Sequence, residues 1–264
     1  MQPIRLRAIW REGGCALNCW LTSPSSVQAE LLASLGFDSL TLDLQHGDID
    51  YRDAVGILTA LTASGATALA RVPSNDPATI GRLLDAGVLG VICPMVNSRA
   101  DAESFVAACR YPPAGNRSWG PFRAALQART DTTDYFAEAN DSIVAIALIE
   151  TREGLDNLDS ILEAPGLDGV YLGASDLAVS HGGRPALDYF GAEAATRHGI
   201  LLEAALRTGV KVCLHAQTDE DIRFCIEAGA DLVTVATDAV ALHREASRQL
   251  SEARQFVATP APPK

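Results

Sequence analysis

Eight short apolar runs of β type alternate with longer stretches of helical periodicity through the 264 residues of this chain. That alternation confines it to parallel α/β architectures. Strands are expected near 15–21, 38–43, 66–70, 89–93, 143–149, 169–172, 210–214 and 232–236. Helices are expected near 25–35, 51–63, 77–86, 98–109, 153–163, 191–208, 219–228 and 239–256. Gly36, Gly87, Gly209 and Gly229 each follow a helical stretch and precede the next strand, where a left-handed helix C-cap is needed. Eight repeats in a chain close to the ~250 residues of a typical (β/α)₈ barrel favour a closed TIM barrel over a doubly wound sheet. No linker or composition break divides the chain, so residues 1–257 are expected to form one barrel domain, with 258–264 a disordered tail. Residues 110–141 break the rhythm and read as a long loop, either a lid or a contact surface.

Charged and polar residues gather at the C-terminal ends of these runs, the end at which parallel barrels build their active sites. Ser39–Leu42 runs into Asp43, Gln45 and His46; 66–70 ends in Arg71; 143–149 ends in Glu150; Val170–Leu172 leads through Gly173, Ala174 and Ser175 to Asp176. Glu150 and Asp176 terminate successive strands. With no Cys or His at ligand spacing they suit a hard divalent ion such as Mg²⁺ or Mn²⁺. The competing reading is two helix N-caps, since Thr151-Arg152-Glu153 and Ser175-Asp176 both look like helix starts. Arg71 can bind a carboxylate or stabilise an enolate oxygen, or it can simply pair with a rim acid. His46 is a candidate acid/base, with Asp43 or Asp85 to orient it, against the commoner structural role of a lone histidine. Gly173, Ala174 and Ser175 are candidate backbone donors to a carboxylate, although small residues are common in such turns. Trp20, Thr22 and His215 are placed to line the mouth; His181, His198 and His243 receive no role.

Several functional classes are excluded. A net charge of −12 argues against nucleic acid and anionic membranes as partners. No apolar run approaches a membrane span or a secretory signal. Six cysteines without a C-x-x-C pair read as buried thiols of a cytoplasmic protein. Only two lysines occur: Lys211 starts a strand, at the far end from the expected site, and Lys264 ends a Pro-rich tail. Neither is placed to form an imine, so Schiff-base and pyridoxal chemistry are not expected.

Five segments in order resemble the HpcH/HpaI family of class II pyruvate aldolases: Leu42–Gly47, Arg71-Val72-Pro73, Tyr111-Pro112-Pro113-Ala114-Gly115-Asn116-Arg117, Ile149–Glu153, and Gly169–Leu177. The resemblance runs from about Leu17 to about Asp238. It implies a barrel of the phosphoenolpyruvate/pyruvate superfamily type, assembled as a hexamer with helix exchange between subunits. It implies that Glu150 and Asp176 hold a divalent metal ion (Mg²⁺, Mn²⁺ or Co²⁺) to which pyruvate binds. Arg71 would stabilise an enolate oxygen, and His46 would act as acid/base with an aspartate behind it. Backbone groups at Ala174 and Ser175 would meet the substrate carboxylate. The implied reaction is reversible aldol cleavage of a 4-hydroxy-2-oxo acid to pyruvate or hydroxypyruvate and an aldehyde. Gln45 stands where many members carry Glu, and Ala174-Ser175 where Pro-Ala is common. A citryl- or malyl-CoA lyase-like enzyme is the nearest alternative activity, and a non-catalytic binding barrel the alternative outside catalysis.

Overall fold

The structure is a computed structural model that describes residues 4–185 and 192–258. Eight parallel strands close into a barrel in chain order: β1 (Ala16–Leu21), β2 (Ser39–Asp43), β3 (Thr67–Arg71), β4 (Gly90–Cys93), β5 (Val144–Ile149), β6 (Gly169–Leu172), β7 (Lys211–His215) and β8 (Leu232–Thr237). The helices among the described residues are α1 (Arg5–Arg11), α2 (Ser26–Ala33), α3 (Tyr51–Leu61), α4 (Pro77–Ala86), α5 (Arg99–Cys109), α6 (Phe122–Gln127), α7 (Thr132–Ser142), α8 (Arg152–Asp156), α9 (Leu158–Leu162), α10 (Ala174–Ser180), α11 (Ala192–Thr208), α12 (Asp219–Glu227) and α13 (Asp238–Ala258). The expected tail lies outside the described residues except for Ala258, where α13 ends.

Strand alternation divides the apolar residues into two cores. Leu69, Ile92, Ile146, Leu148, Tyr171, Cys213 and Leu232 fill the barrel with Trp20, and α1 closes its lower end with Ile4, Leu6 and Trp10. Ala145, Ala147, Ile149, Val170, Leu172, Val212 and Leu214 face outward and meet the helices. The same period of two then aims the residue at the upper end of several strands inward. Leu69 points in, so Arg71 does; Leu148 points in, so Glu150 does; Cys213 points in, so His215 does. Register completes the placement: Asp43 pairs with Arg71 across β2–β3, and Ile149 pairs with Leu172 across β5–β6, which sets Glu150 beside Gly173.

Helix boundaries follow local chemistry. Asp76 caps α4, with Pro77 in its first turn, and Gly87 ends that helix at φ 109°. Gly36, Gly209 and Gly229 also adopt positive φ, as their positions require. Three expectations need correction. Residues 110–141 are not one loop, because α6 and most of α7 lie within them. The single helix expected over 153–163 is two, α8 and α9, separated by Asn157. Helix α1 was not anticipated, and α10 bears out the helix start read at Ser175-Asp176 although no helix was expected to continue from it. The 110–141 segment leaves the C-terminal end of α5, which runs back toward the lower end of the barrel. There Arg110 pairs with Asp168 at 2.8 Å, just before β6. It is no lid over the mouth of its own barrel.

Candidate active site

Asp43 organises the β1–β3 side of the mouth. Its carboxylate accepts Arg71 Nε at 2.9 Å and Nη2 at 2.6 Å, a fork on a side chain only 2 % exposed. It also accepts Trp20 Nε1 at 3.1 Å and the backbone N–H groups of Gln45 and His46 at 3.1 and 3.2 Å. Burial opposes the Asp43 charge, but the Arg71 hydrogen bonds and charge outweigh it and hold this carboxyl below its ordinary range. The guanidinium lies 5.1 Å from the Trp20 ring centroid. Its Nη1 carries no hydrogen bond among the described residues.

The turn that follows needs Gly47, because a Cβ there would lie 2.5 Å from the Asp43 carbonyl oxygen and 3.0 Å from Thr22 Cα. This tight turn presents His46 as an exposed side chain at the rim. Asp43 therefore holds the His46 backbone, and its carboxylate is committed to Arg71. Asp85 is elsewhere: near the C-terminal end of α4 it pairs with the buried Arg117 at 2.6 Å, and the structure does not bring it to His46 within the chain. Thr22 donates its N–H and hydroxyl to Asp238 at 2.9 and 2.6 Å, so it anchors the loop after β1.

Glu150 and Asp176 occupy the β5–β6 side. Neither is an N-cap: Thr151 caps α8, and Gly173 precedes α10 with no side-chain cap. Glu150 is 4 % exposed, and its Oε1 accepts the Met95 N–H at 2.7 Å. Met95 adopts φ 57°, a left-handed conformation uncommon for a non-glycine residue. Nothing in the sequence announced that donor. Gly173 also has a local reason, since a Cβ there would lie 2.5 Å from Glu150 Cβ and 3.1 Å from Oε2. Burial raises the Glu150 pKa; the Met95 N–H works against that, the Asp176 charge adds to it, and Arg71 opposes it. Asp176 is exposed in the first turn of α10, whose leading N–H groups belong to Ala174 and Ser175. Two carboxylates that repel one another, offering only oxygen donors beside a glycine that leaves room, fit a hard divalent cation that keeps several waters. Among the described residues no group of three or more His, Cys, Asp and Glu side chains gathers to hold a metal.

His215 completes the inner wall between β6 and β8. Its ring meets Trp20 edge-on at 5.8 Å, and Trp20 meets Tyr171 at 5.5 Å. Burial first, and the Arg71 charge second, press its pKa down to about 4. Lys211 lies at the opposite end of the barrel, bonded to Asp231 at 2.8 Å. Lys264 lies outside the described residues.

A closed (β/α)₈ barrel that gathers an anchored guanidinium, an acid pair and a rim histidine at the C-terminal ends of its strands has the site architecture of a barrel enzyme. Comparison with known proteins makes the assignment specific. The chain belongs to the HpcH/HpaI aldolase/citrate lyase family, whose profile matches residues 17–245. It is 38 % identical to a hydroxypyruvate/pyruvate aldolase of Rhizorhabdus wittichii over 95 % of this chain and 98 % of that protein. It is 32 % identical to a 5-keto-4-deoxy-D-glucarate aldolase of Escherichia coli O6:H1, covering 95 % and 96 %. Among solved structures, a HpcH/HpaI aldolase/citrate lyase family protein from Burkholderia cenocepacia superposes with a TM-score of 0.87 at 31 % identity, covering 95 % and 99 %. The protein is a carbon–carbon lyase of this family.

Proposed function

We propose that the enzyme is a divalent-metal-dependent aldolase that reversibly cleaves a 4-hydroxy-2-oxo acid into pyruvate or hydroxypyruvate and an aldehyde. The observation that carries this reading is the meeting of the Asp43–Arg71 fork with the Glu150–Asp176 pair at one mouth, with Lys211 at the other end of the barrel. Among the described residues no lysine stands at the mouth to form an imine, so the negative charge of the cleavage step falls to cations there.

Glu150 and Asp176 would hold Mg²⁺, Mn²⁺ or Co²⁺, which when bound acts as a Lewis acid on the keto oxygen. The N–H groups that open α10, at Ala174 and Ser175, bind the substrate carboxylate. Arg71, aimed by Asp43, stabilises the oxygen that becomes enolate as the C3–C4 bond breaks. Asp43 is a positioning residue. His46 takes the proton from the C4 hydroxyl, which leaves as the aldehyde carbonyl, and the electron pair of the broken bond stays with C3. Protonation of C3 then yields the oxo acid.

The test is exchange of the pyruvate methyl protons in D₂O with and without metal. Metal-dependent exchange is expected in the wild type and its loss in Glu150→Ala and Asp176→Ala, with calorimetric metal binding lost in parallel. No exchange at any metal concentration would defeat the aldolase reading and favour a CoA-thioester lyase, which a thioester substrate would reveal.

We further place the enzyme in the cytoplasm, on the strength of six cysteines that form no disulfide, five of them buried. Among the described residues no helix is long and apolar enough to cross a membrane. We also assign it a homo-oligomer, a hexamer with helix exchange between subunits as its family resemblance implies. Two surfaces support this. Every residue of α13 from Leu242 to Val257 is exposed. Val27 and Leu31 on α2, with Leu35 in the turn just past its end, form an uncovered stripe, each at least 65 % exposed.

A further inference from the structure

The turn between β4 and α5, residues 94–98, lies against Glu150 at the end of the next strand. Met95 stands in it at φ 57°, a conformation that a methionine does not favour by itself. Its side chain is 54 % exposed, so side-chain burial does not hold it there. The hold comes from Asn97, two residues on. The Asn97 side chain bonds to the hydroxyl of Thr151, the residue directly after Glu150. Its carbonyl oxygen accepts Asn157 Nδ2 at 2.8 Å. Its N–H donates to Asp101 Oδ2 at 3.2 Å, which ties the turn to the start of α5. Gly154 lets α8 close on the same turn, since a Cβ there would lie 2.9 Å from the Val96 carbonyl oxygen. The outcome of these contacts is one backbone N–H, that of Met95, delivered to Glu150 Oε1 at 2.7 Å. The other oxygen, Oε2, lies against Gly173, on the β6 side where Asp176 follows.

We propose that this turn makes Glu150 a one-oxygen ligand and thereby selects a small octahedral cation over a large one. The inference rests on the metal-dependent aldolase reading and deepens it. The Met95 N–H occupies a lone pair of Oε1 and sets a partial positive charge beside it, so Glu150 offers a cation Oε2 alone. One oxygen from each of two carboxylates, with water completing the shell, suits the near-ideal octahedron that Mg²⁺ demands. Ca²⁺ takes about six to eight oxygens at longer distances and gains from a carboxylate that gives both of its own. Restricting Glu150 to Oε2 therefore disfavours Ca²⁺. Asn97 is a positioning residue in this arrangement. It touches neither carboxylate of the pair and acts through the Met95 N–H, which it fixes from both sides: at Thr151 and Asn157 after β5, and at Asp101 on α5.

Two measurements that do not depend on turnover test the selection. The first is calorimetric titration of the full chain, stripped of divalent ions, with Mg²⁺, Mn²⁺ and Ca²⁺ in turn. The wild type should bind Mg²⁺ and Mn²⁺ more tightly than Ca²⁺. In Asn97→Ala the ratio of the Ca²⁺ Kd to the Mg²⁺ Kd should fall about tenfold, the scale of one lost hydrogen bond to a charged group. Asn157→Ala releases the same turn from an exposed position and serves if Asn97→Ala fails to fold. Thr151→Ser keeps the hydroxyl that Asn97 uses and should retain the wild-type ratio. The second is the infrared difference spectrum on metal addition, with glutamate ¹³C-labelled at its side-chain carboxyl and Glu150 assigned by comparison with Glu150→Gln. The two carboxylate stretches of Glu150 should move apart in the wild type, as one-oxygen coordination requires, and draw together in Asn97→Ala. A wild type that prefers Ca²⁺, a Kd ratio unmoved in both alanine variants, or a wild-type Glu150 bound through both oxygens would overturn the proposal. Metal affinity unchanged in Glu150→Ala would instead defeat the metal-site reading itself, and the proposal with it.

Discussion

Arg71 reaches the mouth with its geometry already determined. Two of its nitrogens are taken by Asp43, and the Trp20 face limits the plane of the rest. A lysine at this position would offer a point charge on a flexible stem in place of that fork. Arg71→Lys is therefore expected to slow cleavage of every aldol substrate on the order of 10²–10³-fold, the usual cost of a lost charge-stabilising donor. Equal kcat in the variant would remove Arg71 from the reaction. Asp43 has a separate signature in stability. Its folded pKa is depressed, so its contribution is present above its unfolded value of about 3.9 and is lost as pH falls through the lower folded value. Asp43→Asn strands the Arg71 charge and should cost about 3–5 kcal/mol near pH 7. The gap between wild-type and variant melting temperatures should then narrow below about pH 4. A gap that stays constant down to pH 2 would show that the ion pair is not its source. His46 separates from Arg71 kinetically: His46→Ala should slow cleavage about 10²–10⁴-fold while retaining part of the pyruvate methyl exchange, which needs no proton from the C4 hydroxyl.

The secondary-structure elements show which parts of the site were legible in the sequence. Residue alternation is visible in sequence, so the strands that end in Asp43, Arg71 and Glu150 could be read directly, as could the convergence of those residues on one rim. Register is not visible, and the Asp43–Arg71 fork depends on it. The donor to Glu150 was hidden for another reason: it is a backbone N–H aimed by the unusual φ of Met95, and a side-chain pattern carries no trace of it. The start of α10 was legible at Ser175-Asp176, but its extent was not, because a helix of seven residues burying only Leu177 carries no periodic stripe. Helix α7 buries only Tyr135 and Ala139, too thin a stripe to announce a helix. Gly173 links two elements, and its glycine is required by the approach of β5 rather than by its own φ. Gly173→Ala would push against Glu150 Cβ at 2.5 Å. It should destabilise the fold by about 1–3 kcal/mol and weaken metal binding by displacing the carboxylate. Calorimetry with Mn²⁺ checks this, and an unchanged affinity would mean that β6 can yield at that point.

At the scale of the whole molecule, one feature of the single chain lacks internal support. Helix α13 is 21 residues long, and beyond its first turn it presents Leu242, Leu250, Phe256 and Val257 with at least 55 % of each exposed. A helical stretch exposed at every residue from Leu242 to Val257 is marginal in water, because packing supplies most helical stability. The stripe of Val27 and Leu31 on α2 and Leu35 just beyond it lacks cover in the same way. Both deficits are met if subunits cover one another, and burying one leucine from each contact is worth about 1.5–3 kcal/mol. Leu31→Glu on α2, and separately Leu250→Glu on α13, should each weaken assembly by ten- to a hundredfold, since about 1.4 kcal/mol is a factor of ten. Sedimentation of the wild type should give a multiple of the chain mass, with smaller species appearing in both variants at micromolar concentration. The barrel has its own two cores, so far-ultraviolet circular dichroism of the dissociated variants should lose helix signal from α13 while retaining the strands. A wild-type chain that sediments as a monomer, with α13 fully helical, would refute the oligomer and require another explanation for these exposed faces.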